Sequence, residues 1–102
     1  MPFTDAPWST PESKLSTQDF CSVCLINFNE GDRDTWVKSK CKLPVRSRPG
    51  APYNKNAIRN AIARLSKTKA PREAKRKAAR KLLRLAKEAG IQTGEMLARM
   101  AR

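Results

Sequence analysis

Three cysteines are the residues whose spacing points most directly to chemistry. Cys21 and Cys24 form a Cys-x-x-Cys pair, and Cys41 follows further along the chain. A structural zinc site needs four ligands, usually from two such pairs or from one pair and two histidines. The second pair is incomplete, because Pro44 stands where its second cysteine would be. A carboxylate would have to complete the site, and that is uncommon for structural zinc.

Three states of these cysteines remain open on the sequence. Free cysteines usually serve as small buried hydrophobic residues, and in an intracellular or virion setting we expect all three to be reduced. We therefore favour three buried thiols, with no metal ion and no other cofactor. A continuous strand over residues 20–29 would direct Cys21 and Cys24 to opposite faces, which argues against a shared ion. The alternatives are zinc held by Cys21, Cys24 and Cys41, and a disulfide such as Cys24–Cys41.

Enzyme chemistry has little support in this chain. Histidine is absent, which removes the commonest general base, proton shuttle and metal ligand together. The sequence contains neither a Gly-x-x-x-x-Gly-Lys loop nor a Gly-x-Gly-x-x-Gly turn, so nothing marks a nucleotide cofactor. We predict that the protein is not an enzyme.

Charge is divided unevenly along the chain. Up to Val37 there are two basic and six acidic residues, a net charge of −4. From Lys38 onward there are twenty basic and three acidic residues, a net charge of +17, and the whole chain carries +13. Such a field opposes folding through self-repulsion. We therefore expect an anionic partner, most commonly a nucleic acid, with DNA favoured over RNA.

Two segments in the first half read as strands. Phe20–Asn29 is partly aromatic and β-branched, and the turn cluster Glu30–Asp34 follows it. Thr35–Val45 alternates, with apolar residues on one face and lysines on the other. The pattern predicts a β-hairpin over residues 20–45. The lysine row is either a solvated strand edge or a phosphate contact, and its members are Lys38, Lys40 and Lys42.

The second half reads as amphipathic helices. Asn54 suits a helix N-cap, and apolar residues at helical spacing predict a helix over residues 54–67. Pro71 and Gly90 suit the start and the end of a longer helix of roughly 28 Å. The outer face of this second helix is basic, through Arg72, Arg76, Lys77, Arg80, Lys81, Arg84 and Lys87.

These elements define an α+β fold, a small β-hairpin followed by two amphipathic helices that cover one of its faces. Residues 1–18, with three prolines, read as an extended arm, and residues 19–90 as the hairpin and two-helix domain. Residues 91–102 read as a short third helix or a frayed tail.

The basic residues are the candidate nucleic-acid contacts. Contacts to phosphates position a protein without reading sequence. Asn56 and Asn60 are candidates for base reading, although a capping amide and a solvated surface residue explain them more simply. Beyond the second helix, the predicted phosphate contacts are Lys38, Lys40, Lys42, Arg46, Arg48, Arg59 and Arg64.

Several short segments also carry a likeness to a known module. They are Cys24–Asn27, the Leu-Pro-Val-Arg sequence within 40–46, Pro49-Gly50, Asn54–Ala61 and the basic stretch 79–91, with Trp8 near the start. Together they resemble a module that accompanies head-morphogenesis proteins of tailed bacteriophages. The resemblance implies origin in a phage or mobile element and a role near the capsid or its DNA. It carries over no catalytic residue.

Three functions follow from these observations. The first is a small, basic, non-enzymatic accessory protein that binds nucleic-acid phosphates through its long helix. The alternative is a minor capsid, cement or morphogenesis protein that acts through contacts with capsid or other phage proteins. The third is a small inhibitor of a host nucleic-acid enzyme. We expect the host cytoplasm or the virion as its location, because there is neither a secretory signal nor an apolar run of roughly 20 residues.

Overall fold

The elements alternate between short strands and helices along the chain. A computed structural model describes residues 3–102 and confirms the α+β class. The strands are β1 (Phe3–Thr4), β2 (Cys24–Asn27), β3 (Cys41–Pro44) and β4 (Tyr53–Asn54). The helices are α1 (Thr17–Val23), α2 (Lys55–Arg64), α3 (Arg72–Ala89) and α4 (Glu95–Met100). Short 3-10 turns span Arg33–Thr35, Lys38–Lys40 and Leu65–Lys67.

The predicted first strand is half helix, and this part of the prediction was wrong. Residues 17–23 form α1, and the strand begins only at Cys24. The Ser16 hydroxyl accepts a hydrogen bond from the backbone N–H of Asp19 at 3.2 Å. A serine in this position satisfies a donor that the first helical turn leaves free, and the helix then buries Phe20, Cys21 and Val23.

The predicted second strand is also shorter than expected. Only 41–44 is strand, and it pairs antiparallel with β2, with Cys24 opposite Pro44 and Asn27 opposite Cys41. The Asn29 side chain bonds both the N–H and the carbonyl of Val37, at 2.9 and 3.2 Å. These bonds replace the strand ladder there, as side-chain amides can do. The hairpin therefore exists, but Lys38 and Lys40 lie in a 3-10 turn rather than on a strand.

The helices of the second half lie close to the predicted ranges, although α2 ends at Arg64 and a 3-10 turn continues to Lys67. The Asn54 side chain accepts the N–H of Ala57 at 3.0 Å and caps α2. Helix α3 starts after Pro71 and ends at Gly90, whose φ of 73° is readily adopted only by glycine. The predicted third helix is present as α4.

Two apolar clusters hold these elements together. The larger one joins β2, β3 and helices α2, α3 and α4, with Ile26, Ile58, Leu82 and Leu85 almost fully buried. The smaller one lies between α1 and the start of β3 and contains Phe20, Cys21, Val23 and Cys41. Because α3 packs its apolar side inward, its basic side is left facing outward.

The described part of the N-terminal arm is fixed to the rest of the fold. Strand β1 pairs in parallel with β4, placing Phe3 beside Tyr53. The side-chain amides of Asn54 and Asn56 both donate to the carbonyl of Ala6 at 3.0 Å. These bonds hold the first turn of α2 against the arm. The division of the chain at residues 18 and 90 stays a prediction.

Candidate nucleic-acid interface

The outer side of α3 presents a row of cations, which we call the basic face of α3. It consists of the seven residues predicted from the sequence, Arg72, Arg76, Lys77, Arg80, Lys81, Arg84 and Lys87. Arg76 and Lys81 are half-buried and the other five are exposed. With 18 residues the helix is about 27 Å long.

The positive charge of this face is largely uncompensated. Within residues 3–102 the ion pairs are Lys55 with Asp5, Arg76 with Glu73, and Arg99 with Glu95, at 3.6 to 3.8 Å. Arg76 is thus the single member of the basic face that pairs with a carboxylate in the described structure. Glu73 offsets one of the seven positive charges, and the other six have no carboxylate partner within residues 3–102.

Two cations of the face also hold the fold together. Arg80 donates through Nε to the carbonyl oxygen of Ala101 at 2.8 Å. The Lys81 ammonium lies 5.9 Å from the centroid of the Tyr53 ring, in a cation–π contact. Lys77, Arg84 and Lys87 have no such described contact, so they are the members best suited to test binding alone.

The groove between the start of α3 and α4 contains cations that the sequence interpretation missed. A groove of about 420 Å³ between the start of α3 and α4 is lined by Arg72, Arg76 and three further cations. The three are Lys75, Arg99 and Arg102. The buried Nε of Arg76 has no hydrogen-bond partner in the described structure. The arginines near the end of the chain were the available signal, but the packing of α4 on α3 could not be inferred from them.

The predicted contact Arg46 joins the basic face of α3. Its guanidinium lies 5.1 Å from the Tyr53 ring centroid, and its Nε donates to the carbonyl of Ala51 at 2.7 Å. Tyr53 therefore lies in contact with both Arg46 and Lys81. Arg48 is exposed in the turn that follows Arg46.

Other predicted cations meet on a different part of the molecule. Lys38, Lys42 and Arg64 line a cavity of about 420 Å³ between the arm, β3 and α2, here called the Trp8 cavity. Lys40 is exposed but is not among the residues that line it. The predicted row of three lysines is therefore divided, because the 3-10 turn interrupts the strand.

The two asparagines and Arg59 differ in what they do. The Asn56 amide is occupied by the arm and also accepts a hydrogen bond from Arg59 at 3.2 Å. Asn60 is exposed and lines the Trp8 cavity. Of the two predicted base-reading residues, only Asn60 has a side chain available for that role.

The cysteines differ from the favoured prediction. Cys21 and Cys41 form a disulfide with a Cα–Cα distance of 5.2 Å, so the expectation of three reduced thiols is wrong. The pairing also differs from the suggested Cys24–Cys41. Cys21 lies on α1 rather than on a strand, which turns its side chain towards the start of β3. The disulfide uses two of the three thiols proposed for zinc, and residues 3–102 contain no cluster of metal-binding side chains.

Cys24 is the free cysteine, and it is half-buried. Burial, followed by the nearby charge of Glu12, raises the pKa of its thiol to about 12, and Lys42 opposes this in part. The thiolate is the reactive form of cysteine, so the raised pKa predicts a weakly reactive thiol near neutral pH.

Comparisons with known protein families, with curated proteins and with solved structures found no match for this chain. No helix within residues 3–102 is long and apolar enough to cross a membrane. The resemblance to the phage head-morphogenesis module stays a prediction.

Proposed function

We propose that this protein is a small, non-enzymatic accessory protein that binds nucleic-acid phosphates through the basic face of α3. The observation that carries the proposal is that six of the seven cations on this face have no carboxylate partner within residues 3–102. Duplex DNA carries one phosphate per about 1.7 Å of its axis. A rigid helix of about 27 Å therefore meets many phosphates at once.

Additional cations extend this surface at both sides. Arg99 and Arg102 lie beside the start of α3, and Arg46 lies beside Lys81 through Tyr53. Binding of this kind releases counterions, so affinity falls steeply as salt rises. It does not read base sequence, because phosphates carry no sequence information directly. DNA is favoured over RNA, and the host cytoplasm or the virion of a phage or mobile element is the proposed setting.

The experiment compares two triple variants that remove equal charge. Lys77→Gln, Arg84→Gln and Lys87→Gln change the basic face, and Lys14→Gln, Lys67→Gln and Lys69→Gln change exposed lysines elsewhere. Fluorescence anisotropy with labelled DNA over a salt series gives the affinity and its slope. We expect the first variant to lose affinity and about three units of slope, since each phosphate contact contributes roughly 0.9.

Two results would refute the proposal. One is wild-type binding that is undetectable at low salt or unaffected by rising salt. The other is an equal loss of affinity in both triple variants, because that would reflect net charge rather than the basic face of α3.

The alternative is a minor capsid, cement or morphogenesis protein that acts through contacts with capsid or other phage proteins. The Cys21–Cys41 disulfide favours this setting, because virion surfaces are among the places where disulfides persist. The docking of residues 3–6 on the chain's own β4 and α2 favours it less, since this part of the arm is already occupied. Inhibition of a host nucleic-acid enzyme stays the third prediction.

A further inference from the structure

The Trp8 cavity has the size of a small-ligand site and mixed chemistry. Its volume of about 420 Å³ falls within the roughly 300–1,000 Å³ of such sites. Apolar walls come from Leu43, Pro44 and Ala61, and polar groups from Glu12 and Asn60. The cavity is also lined by three cations, Lys38, Lys42 and Arg64. They outnumber the single carboxylate, so the site is positive overall.

Trp8 occupies an unusual position for a tryptophan in a small fold. It is half-exposed and belongs to neither apolar cluster. It lines the Trp8 cavity and also a second cavity of about 190 Å³. The chain on either side is anchored, by the bonds from Asn54 and Asn56 to Ala6 and by the burial of Pro11. The backbone on both sides of Trp8 is therefore held in place, while the indole lies outside both apolar clusters.

The polar groups of the cavity match the needs of a nucleotide. An indole face stacks on any base, and an asparagine amide or a carboxylate can bond the edge of a base. Lys42 and Arg64 supply charge for phosphates. The Lys38 ammonium donates to the backbone carbonyl of Glu12, which ties the arm to the far side of the cavity.

The wall of the cavity also contains a strained residue. Leu43 has a φ of 62°, the left-handed region that residues other than glycine rarely adopt. This conformation is disfavoured for a residue that carries a Cβ and, where it persists, clusters at ligand sites. The strain is therefore an observation independent of the lining chemistry.

We propose that the Trp8 cavity binds one unstacked nucleotide of a single-stranded segment. The base stacks on Trp8, its edge faces Asn60, and its phosphates lie near Lys42 and Arg64. This inference rests on the proposed nucleic-acid binding and names its substrate class. A base inside a duplex is covered by its neighbours and cannot reach the indole, so single strands and frayed ends are preferred.

The experiment follows the fluorescence of Trp8 alone. In a Trp36→Phe variant the fluorescence reports on Trp8, and it is followed during titration with oligothymidylate, with duplex DNA of equal phosphate number, and with inorganic polyphosphate. We expect quenching by the single strand and little by the other two. Trp8→Ala should weaken single-strand binding by about tenfold, the stacking contribution of one base, and leave duplex affinity unchanged.

Controls separate this inference from the proposed function. Trp8→Phe keeps a ring for stacking and should retain most single-strand affinity, and circular dichroism of both Trp8 variants checks the fold. Duplex binding could depend on the basic face of α3 while the fluorescence of Trp8 does not change on addition of the oligonucleotide. In that case the inference is wrong and the proposed function stands. Equal losses of duplex and single-strand affinity in Trp8→Ala would also overturn it. If the wild type binds no nucleic acid, both fail together.

Discussion

Arg80 and Ala101 are joined by a hydrogen bond of 2.8 Å from the arginine Nε to the backbone oxygen at the end of α4. The bond spans 21 residues and fixes the last helix against α3. One residue of the basic face thus serves the fold as well as the proposed interface. A loss of binding after its replacement would have two explanations.

We predict that Arg80→Gln lowers the free energy of unfolding by about 1 kcal/mol, the usual contribution of such a hydrogen bond. Urea denaturation measures this, and hydrogen exchange should show faster opening of residues 95–101. Arg84→Gln is the matched control, since Arg84 is exposed on the same helix without a described bond. It should stay within about 0.5 kcal/mol of the wild type. Equal stability of the two variants would contradict the role given to Arg80.

A second prediction concerns Asn54, whose side chain accepts from Ala57 and donates to Ala6. Asn54→Ala removes both bonds and should cost about 2 kcal/mol, one part for the cap and one for the buried bond. Asn54→Ser keeps an acceptor for the cap and loses the amide donor to Ala6, so it should cost about half as much. Hydrogen exchange of residues 3–8 should rise in both variants. An arm that stays protected in both would show that this contact does not hold it.

Removal of the disulfide gives a third prediction. The bond closes a loop with a sequence separation of 20, which corresponds to roughly 3 kcal/mol in the chain-entropy account. Cys21→Ala combined with Cys41→Ala, or addition of a reductant, should therefore lower the urea midpoint markedly. Cys24→Ala should leave the response to reductant unchanged. A wild type that is insensitive to reductant, or a peptide map linking Cys24 instead, would contradict the pairing.

The fourth prediction is a dependence of stability on alkaline pH through Cys24. Its folded pKa of about 12 lies above the ordinary thiol value of 9.0. Between these values the folded chain keeps a proton that the unfolded chain loses. The free energy of unfolding should therefore fall as pH rises from about 9 to 12. To isolate the contribution of this thiol, the measured quantity is the difference from Cys24→Ala, whose decline should be shallower. If the free energy of unfolding falls equally with pH in the wild type and in Cys24→Ala, the prediction is wrong.

Alkylation provides a second measurement on the same thiol. Iodoacetamide near pH 8 should react slowly with the folded protein and rapidly with the protein in urea, because only the thiolate attacks. Cys21 and Cys41, being joined, give no background in the absence of reductant.

The helices were predictable because their signals are local. The cap at Asn54, the start at Pro71 and the left-handed end at Gly90 lie within a few residues of the elements they define. The spacing of apolar residues along α3 likewise fixed which side would be buried. The basic face was therefore identified by residue from the sequence.

The features that were predicted wrongly or missed depend on competing local signals or on contacts between distant residues. Phe20 and Val23 favour strands, yet the cap at Ser16 and the small cluster with Cys41 put them on a helix. The Asn29 side chain likewise replaced strand pairing at Val37. The Trp8 cavity and the groove beside α4 arise from tertiary packing, which no local pattern encodes. The pairing of Cys21 with Cys41 likewise depends on tertiary packing.

The disulfide also connects the Trp8 cavity to the redox state of the surroundings. Cys41 belongs to the lining of the Trp8 cavity, whereas α3 contains no cysteine. A reducing environment would loosen the wall around the indole and leave the long helix as it is. If the Trp8 cavity binds unpaired bases as proposed, that binding would respond to the thiol state of the surroundings, while the proposed attraction of α3 to a duplex backbone would not.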